Sequence, residues 1–318
     1  MATEAVATGT ATAAPWIGRL RLPVIAAPMF LLSGPELVIA AARAGIVGAF
    51  PTLNARTPEI LDRWLAEITQ ALDGDDGGGT WAANVIAHRS NPRLDLDVDL
   101  LLRYRPPLVI SALGSPRRIV ERVHGYGGQV FADVNSIAFA RKAAAAGVDG
   151  LLLVASGAGG HTGDISPFAF VETVRTFWDG TLVLAGGIST GRAIRAAVDL
   201  GADLVSMGTR FICSRESLAV ADYKRMVIDC GVEDIVRTNA FTGAWANMLR
   251  PSIVRAGLDP DRLRPKDKLD VTDDPGGEHA PWRDIWSAGH GIGTIRREQA
   301  VAEIVAELAR DYAAARVA

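Results

Sequence analysis

Apolar residues gather in eight short, nearly unbroken runs, separated by longer stretches in which apolar positions recur with helical spacing. The runs are LPVIAAPM (22–29), IVGAF (46–50), WAANVIA (81–87), PLVISAL (107–113), QVFADV (129–134), GLLLVAS (150–156), TLVLAGG (181–187) and LVSMGT (204–209). Unbroken runs of this length predict strands covered on both faces, as in a parallel sheet, because a strand with one wet face alternates. The stretches 35–44, 58–72, 94–104, 116–124, 136–146, 166–178 and 190–200 predict helices between them. Ser33-Gly34-Pro35, Thr57-Pro58, Ser115-Pro116 and Ser166-Pro167 place a cap residue or a proline at a first turn. Gly147 and Gly201 stand where a helix should stop.

Parallel neighbours need a crossover, so eight strand–helix units predict an α/β fold, a (β/α)8 TIM barrel. An open doubly wound sheet is the alternative, but no G-x-G-x-x-G follows the first run. After the eighth run the rhythm breaks. Residues 217–232 predict a helix, and 233–285, rich in Pro, Asp, Gly and Trp, show no strand periodicity. This predicts a helical or irregular insertion over one end of the barrel. Residues 297–316 predict an amphipathic helix that closes the outer ring. The expected division is a disordered lead-in at 1–15, a barrel at 16–216 and 290–318, and the insertion at 217–289. The run DGDDGGG (73–79) reads as a surface loop.

Composition narrows the partners. A net charge of −3 leaves no cationic excess to neutralise a nucleic acid or an anionic membrane. No segment reaches about 18 consecutive apolar residues, and the N-terminal stretch has no basic region of a signal peptide. The expectation is a cytoplasmic monomer or homodimer that acts on a small molecule. Cys213 and Cys230 give neither a disulfide framework nor a zinc spacing, so no metal is expected.

Barrels of this kind carry their chemistry at the carboxyl ends of the strands. That rule selects Ala27, Pro28 and Met29 after the first run, Asn84 in the third, and Asp133 and Asn135 at the fifth. It also selects the loop 156–164 after the sixth, Gly186-Gly187 after the seventh, and Met207-Gly208-Thr209-Arg210 after the eighth. Glycines there expose backbone N–H groups to an anion, and the placement suits a phosphate; a tight turn is the plainer reading. In GAGGHTG (157–163), glycines leave the His161 imidazole uncluttered, and histidine titrates near neutrality. A structural histidine is the alternative. His88 reads as peripheral and Cys213 as a packed thiol. Trp245, Trp282 and Trp286 either roof a pocket or form the insertion's own core. Asp133 is either a site carboxylate or a satisfied acceptor.

The motifs AAPM (26–29), AANVIAH (82–88), GAGGHTG (157–163), LAGGI (184–188) and MGTRF (207–211) together resemble the nitronate monooxygenase family of FMN-dependent barrels. TNAFTGAWANMLRPSI (238–253) and WSAGHGIGTI (286–295) extend the resemblance. It implies an FMN site made by Ala27, Pro28, Met29, Asn84, Asp133, Gly160, Gly186, Gly187, Met207, Gly208 and Thr209, with the phosphate on Gly186, Gly187, Gly208 and Thr209. It implies that His161 is the catalytic group that holds or deprotonates the substrate. The implied reaction is oxidation of alkyl nitronates by dioxygen to a carbonyl compound and nitrite. Two positions depart from the family: His290 stands where glutamine is common, and Asp133 where some relatives have lysine. His290 and Trp286 are further candidates, either for contact with substrate or for a place just behind the residues that touch it. The same scaffold also admits an NAD(P)H-dependent reductase of a quinone or enoyl thioester, or a noncatalytic flavin-binding protein.

Overall fold

The computed structural model describes residues 16–74, 79–266 and 280–315. The expected lead-in at 1–15, and residues 75–78 of the acidic glycine-rich loop, lie outside them.

The strands among the described residues are β1 (Val24–Ala26), β2 (Val47–Pro51), β3 (Trp81–Ile86), β4 (Leu108–Ala112), β5 (Gln129–Val134), β6 (Gly150–Val154), β7 (Gly160–His161), β8 (Thr181–Ala185), β9 (Leu204–Met207), β10 (Ile235–Thr238) and β11 (Ala246–Leu249). Eight of these form a closed parallel barrel in the order β1-β2-β3-β4-β5-β6-β8-β9, and β9 returns to β1 with Ser206 opposite Ile25. The fold is a TIM barrel. The helices Pro35–Arg43, Pro58–Leu72, Leu94–Tyr104, Arg117–His124, Ile137–Ala144, Pro167–Arg175 and Gly191–Leu200 start where the predicted stretches do, or one residue later. Thr57 and Ser166 cap their helices through side-chain oxygens that accept from Ile60 N–H and Ala169 N–H. The final helix, Val301–Ala314, packs on Gly191–Leu200 and Pro35–Arg43 and so covers the seam between β9 and β1.

Successive strand residues face opposite sides. One set, including Ala26, Val85, Val109, Val130 and Leu153, packs under the helices. The other, including Ile25, Val47, Ala82, Ile110, Phe131, Leu152 and Val183, fills the barrel itself. Trp16 plugs the lower end, its ring 6.1 Å from Phe131 and its Nε1–H donating to Gln129 Oε1 at 2.9 Å. The inward series continues upward into Asn84, Asp133, Ala185 and Ser206, which face the open end.

Residues 217–289 depart from the expectation in one respect. The helix expected at 217–232 is Ala221–Asp229, but β10 and β11 lie beyond it and pair antiparallel, followed by a short helix, Arg250–Arg255. β11 pairs in turn with β7, setting Ala246 opposite His161 and Asn247 opposite Gly160. Each strand has four residues; β10 is mostly half-buried while β11 is buried throughout, so neither shows a legible alternation. Among the described residues no helix is long and apolar enough to cross a membrane.

Candidate active site

A cavity of about 1380 Å³ opens at the carboxyl ends of the barrel strands. That exceeds the roughly 300–1,000 Å³ usual for one small-molecule pocket, so two ligands fit together. Ten expected site residues line it: Ala27, Pro28, Met29, Asn84, Asp133, Gly160, Gly186, Gly187, Gly208 and Thr209, and His161 joins them. Asn84 is anchored by donation from Nδ2 to Ile110 O at 3.1 Å. Asp133 is not a satisfied acceptor: its buried Oδ1 has no hydrogen-bond partner, and burial pushes the carboxyl up to about 7.

The β8 and β9 ends form a cradle of bare backbone. Gly186 and Gly187 hold φ of 127° and 70°, left-handed values that a side chain adopts only under strain. A Cβ on Gly187 would find nothing nearer than 3.9 Å, and one on Gly208 would rest at 3.6 Å on Met29 without a clash; both glycines line the cavity. The Thr209 hydroxyl accepts from Gly289 N–H at 2.8 Å and ties the late loop to the cradle. Open amides without competing side chains suit a phosphate, and the cradle fits that group of a flavin nucleotide.

His161 is less free than its glycine-rich loop suggested. It is half-buried, its Nε2 lies 3.1 Å from Thr242 Oγ1, and Trp282 meets its ring edge-on at 5.3 Å. Thr242 also donates to Ala244 O at 3.3 Å. With its one hydroxyl proton used there, it accepts from Nε2–H and leaves Nδ1 with the lone pair. Burial lowers the imidazole to about 4, so it is neutral at neutral pH. The glycines serve another purpose: a Cβ on Gly159 would stand 2.7 Å from Gly289 N, and one on Gly289 would stand 2.6 Å from Gly157 O. Two loops touch backbone to backbone, which only glycine permits.

One expectation is corrected, and two are narrowed. Met207 does not face the cavity; it is 1% exposed in the layer under the helices, and Ser206 lines the cavity instead, as strand alternation requires. Trp286 does not reach the cavity either; it is buried, stacked on Tyr223 at 4.7 Å and covered by the Arg255 guanidinium. His290 brings its loop to the cavity through Gly289 and Gly291, while its own side chain is exposed and leans on Gly157. The His290 imidazole does not line the cavity, whereas His88, read from the sequence as peripheral, does.

Of the other tryptophans, Trp282 lines the cavity and Trp245 is exposed beside Arg237. Cys213 is a packed thiol, buried and pushed up to about 12 by that burial. Arg210 turns away from the cradle to bond Gln299 and Glu307.

A family profile described as nitronate monooxygenase matches residues 79–311, about three quarters of the chain. The chain belongs to the nitronate monooxygenase family. This is a family of flavin-dependent oxidoreductase enzymes. Nitronate monooxygenase npaC of Metarhizium robertsii is 30% identical over 330 residues, covering 92% of this chain and 91% of that protein. In Mycobacterium tuberculosis, (3aS,4S,5R,7aS)-5-hydroxy-7a-methyl-1-oxo-octahydro-1H-indene-4-carboxyl-CoA dehydrogenase is 29% identical over 235 residues. That match covers 73% of this chain and 64% of the dehydrogenase, less than two thirds of its length. A nitroalkane oxidase from Streptomyces ansochromogenes superposes with a TM-score of 0.81 at 23% identity, over 94% of this chain and 98% of its own, which shows a shared fold.

Three residues of this nitronate monooxygenase family member escaped the sequence reading. Thr242 and Asn247 lie in the resembling stretch 238–253, yet nothing in its pattern says which side chains return to the barrel. Asn247 Nδ2 donates to Ala158 O at 2.8 Å and holds the histidine loop against β11. Asn54 accepts from Leu31 N–H at 2.8 Å and donates to Met29 O and Ser33 O, fixing the loop after β1. It comes from a 3-10 turn after β2, Thr52–Asn54, that carries no sequence signal of its own.

Proposed function

We propose that the chain is an FMN-dependent enzyme that oxidises alkyl nitronates with dioxygen, giving a carbonyl compound and nitrite. The observation that carries the reading is the pairing of a bare glycine cradle after β8 and β9 with the neutral His161 imidazole on the same cavity. Gly186, Gly187, Gly208 and Thr209 would hold the phosphate, and Ala27, Pro28, Met29, Asn84 and Gly160 would border the ring. A bound flavin supplies the electron transfer from the substrate and the reaction with dioxygen.

The protein's share is orientation and charge. His161 presents a neutral imidazole to the substrate. A negative charge settling beside the ring raises its proton affinity, which lets it take a proton from a nitroalkane or hold one against the nitronate. Trp282 and the 288–291 loop cover this side of the cavity and limit water. On this reading the barrel (16–216 and 290–318) supplies the cofactor site, and the insertion (217–289) supplies Thr242 and Trp282.

The experiment is anaerobic mixing of the flavin-loaded protein with propyl nitronate, NADH and NADPH in parallel. Rapid reduction by the nitronate alone is expected, with nitrite released once air is admitted. A protein that purifies without flavin and does not take up FMN overturns the reading. A second reading, an NAD(P)H-dependent reductase of an enoyl thioester, is favoured by the volume of the cavity and by the relative named as a CoA-thioester dehydrogenase. Rapid reduction by either nicotinamide would select it.

A further inference from the structure

We propose that the cavity's outer arm, over the β4 and β5 ends, is a second anion site that takes the phosphate-bearing tail of a nucleotide. The proposal rests on the reading that the cradle after β8 and β9 holds the flavin phosphate.

The cavity does not end at the barrel mouth. It continues past Ser115 and Arg117, which follow β4, and along the helix Ile137–Ala144 past Phe139 and Lys142 to Ala145. In the barrel order, β4 lies directly across the opening from β9, and β5 is separated from β8 by β6. Arg117, which follows β4, therefore stands on the far side of the opening from Gly208 in the glycine cradle.

The charges are distributed unevenly. The whole chain carries −3, yet the charged side chains on the cavity wall are Arg117, Lys142, Lys266 and Asp133. Asp133 sits low on the inward face of β5, and its burial disfavours the anion. The rim is thus cationic on an acidic protein, an arrangement that concentrates an anionic ligand at the opening. Arg117 and Lys142 are exposed, and neither pairs with a carboxylate among the described residues.

An apolar surface lies beside these charges. The Phe139 ring is 54% exposed, and Lys142 Nζ lies 5.7 Å from its centroid. A bare ring against a cation offers stacking to an aromatic base and a counter-charge to the phosphate attached to it. A nucleoside diphosphate has both parts. It is common to coenzyme A, the handle of a thioester substrate, and to NAD(P)H, a reductant.

The test uses the flavin-loaded protein and isothermal titration with ADP, coenzyme A and NADPH, at low and at physiological salt. ADP is expected to bind, and to bind more weakly as salt screens the rim. Arg117→Gln and Lys142→Gln should each weaken ADP by about tenfold or more, as loss of a charge-assisted contact does. Phe139→Ala should weaken it by roughly tenfold through lost stacking. All three side chains are exposed, so flavin content should stay at the wild-type level. Coenzyme A binding without NADPH assigns the arm to a thioester substrate, and NADPH binding without coenzyme A assigns it to a reductant. No measurable ADP binding, or equal affinity in the wild type and the Arg117→Gln/Lys142→Gln double variant, overturns the proposal. A protein that purifies colourless overturns the flavin assignment instead, and the ADP titration still reads the arm.

Discussion

His161 Nε2 and Thr242 Oγ1 lie 3.1 Å apart, joining a loop of the barrel to the segment that covers it. The two residues are 81 positions apart and meet because β11 pairs with β7 and sets Ala246 opposite His161. The barrel alone would present this imidazole with no fixed tautomer.

Replacing the hydroxyl tests that link. Thr242→Val keeps the shape and removes the acceptor, and Thr242 is buried, so Nε2–H loses its partner. A hydrogen bond of this kind is worth about 0.5–1.5 kcal/mol, which sets the expected fall in kcat at up to about tenfold. Flavin content should stay the same, and Thr242→Ser should restore most of the rate. Steady-state kinetics with the visible flavin spectrum read both; an unchanged kcat in Thr242→Val would show that the contact does not orient the ring.

The cradle can be tested without backbone strain at Gly208. Its φ is −96°, not left-handed, and an added Cβ would meet nothing nearer than Met29 Sδ at 3.6 Å and Ala27 Cβ and Met29 Cγ at 3.7 Å, ordinary contact distances. Gly208→Ala should therefore fold and melt like the wild type, yet occupy the volume that a phosphate needs. The expected result is loss of most bound flavin on purification and an FMN Kd raised by at least about tenfold, a loss of about 1.4 kcal/mol. Retention of a full complement of flavin would move the phosphate elsewhere.

How much of this was legible depended on the range of the interaction. Strands buried on both faces announce themselves as unbroken apolar runs, and a residue at a strand's end inherits its place from the fold. Ala27, Asn84, Asp133 and Gly186 are placed on the cavity wall that way. Met207 went wrong by one residue because strand alternation decides which neighbour faces in, and Ser206 is that neighbour. Trp286 and Trp282 are four positions apart in one segment, with nothing local to distinguish a stacked core ring from a cavity wall. Thr242 was hidden because its role exists only once β11 meets β7.

Trp282 shields the imidazole, and its removal should be visible in pH dependence. Burial holds His161 near 4, well below 6.5, so the neutral form dominates above about pH 4 in the folded protein. Trp282→Ala admits water beside the ring, and the histidine should rise toward 6.5. The acid limb of the rate profile should move up with it, so the variant loses activity between about pH 4 and 6.5 while the plateau above pH 7 changes less. A nitronate titration of kcat/KM across that range decides it; an unmoved limb would mean that another group, not His161, controls the rate.

Asp133 gives a stability test whose sign is opposite to that of the histidine. Its folded value is about 7 against 3.8 for an exposed aspartate, so between these values the folded state holds a proton that the unfolded chain has released. Stability from this group is complete below about pH 3.8 and is lost as pH rises through 7. For His161 the folded value is the lower one, near 4, so the unfolded chain binds the extra proton between 4 and 6.5 and stability rises with pH there. The two contributions oppose each other, and the wild type should show a shallow dependence across pH 4 to 6.5. Asp133→Asn removes one of them and keeps the shape of the side chain. Its melting temperature, relative to wild type and measured without cofactor, should climb between pH 4 and 7 and exceed the wild-type value at pH 8. A difference that stays flat across that range would mean that the Asp133 carboxyl is ionised and stabilised in the folded protein.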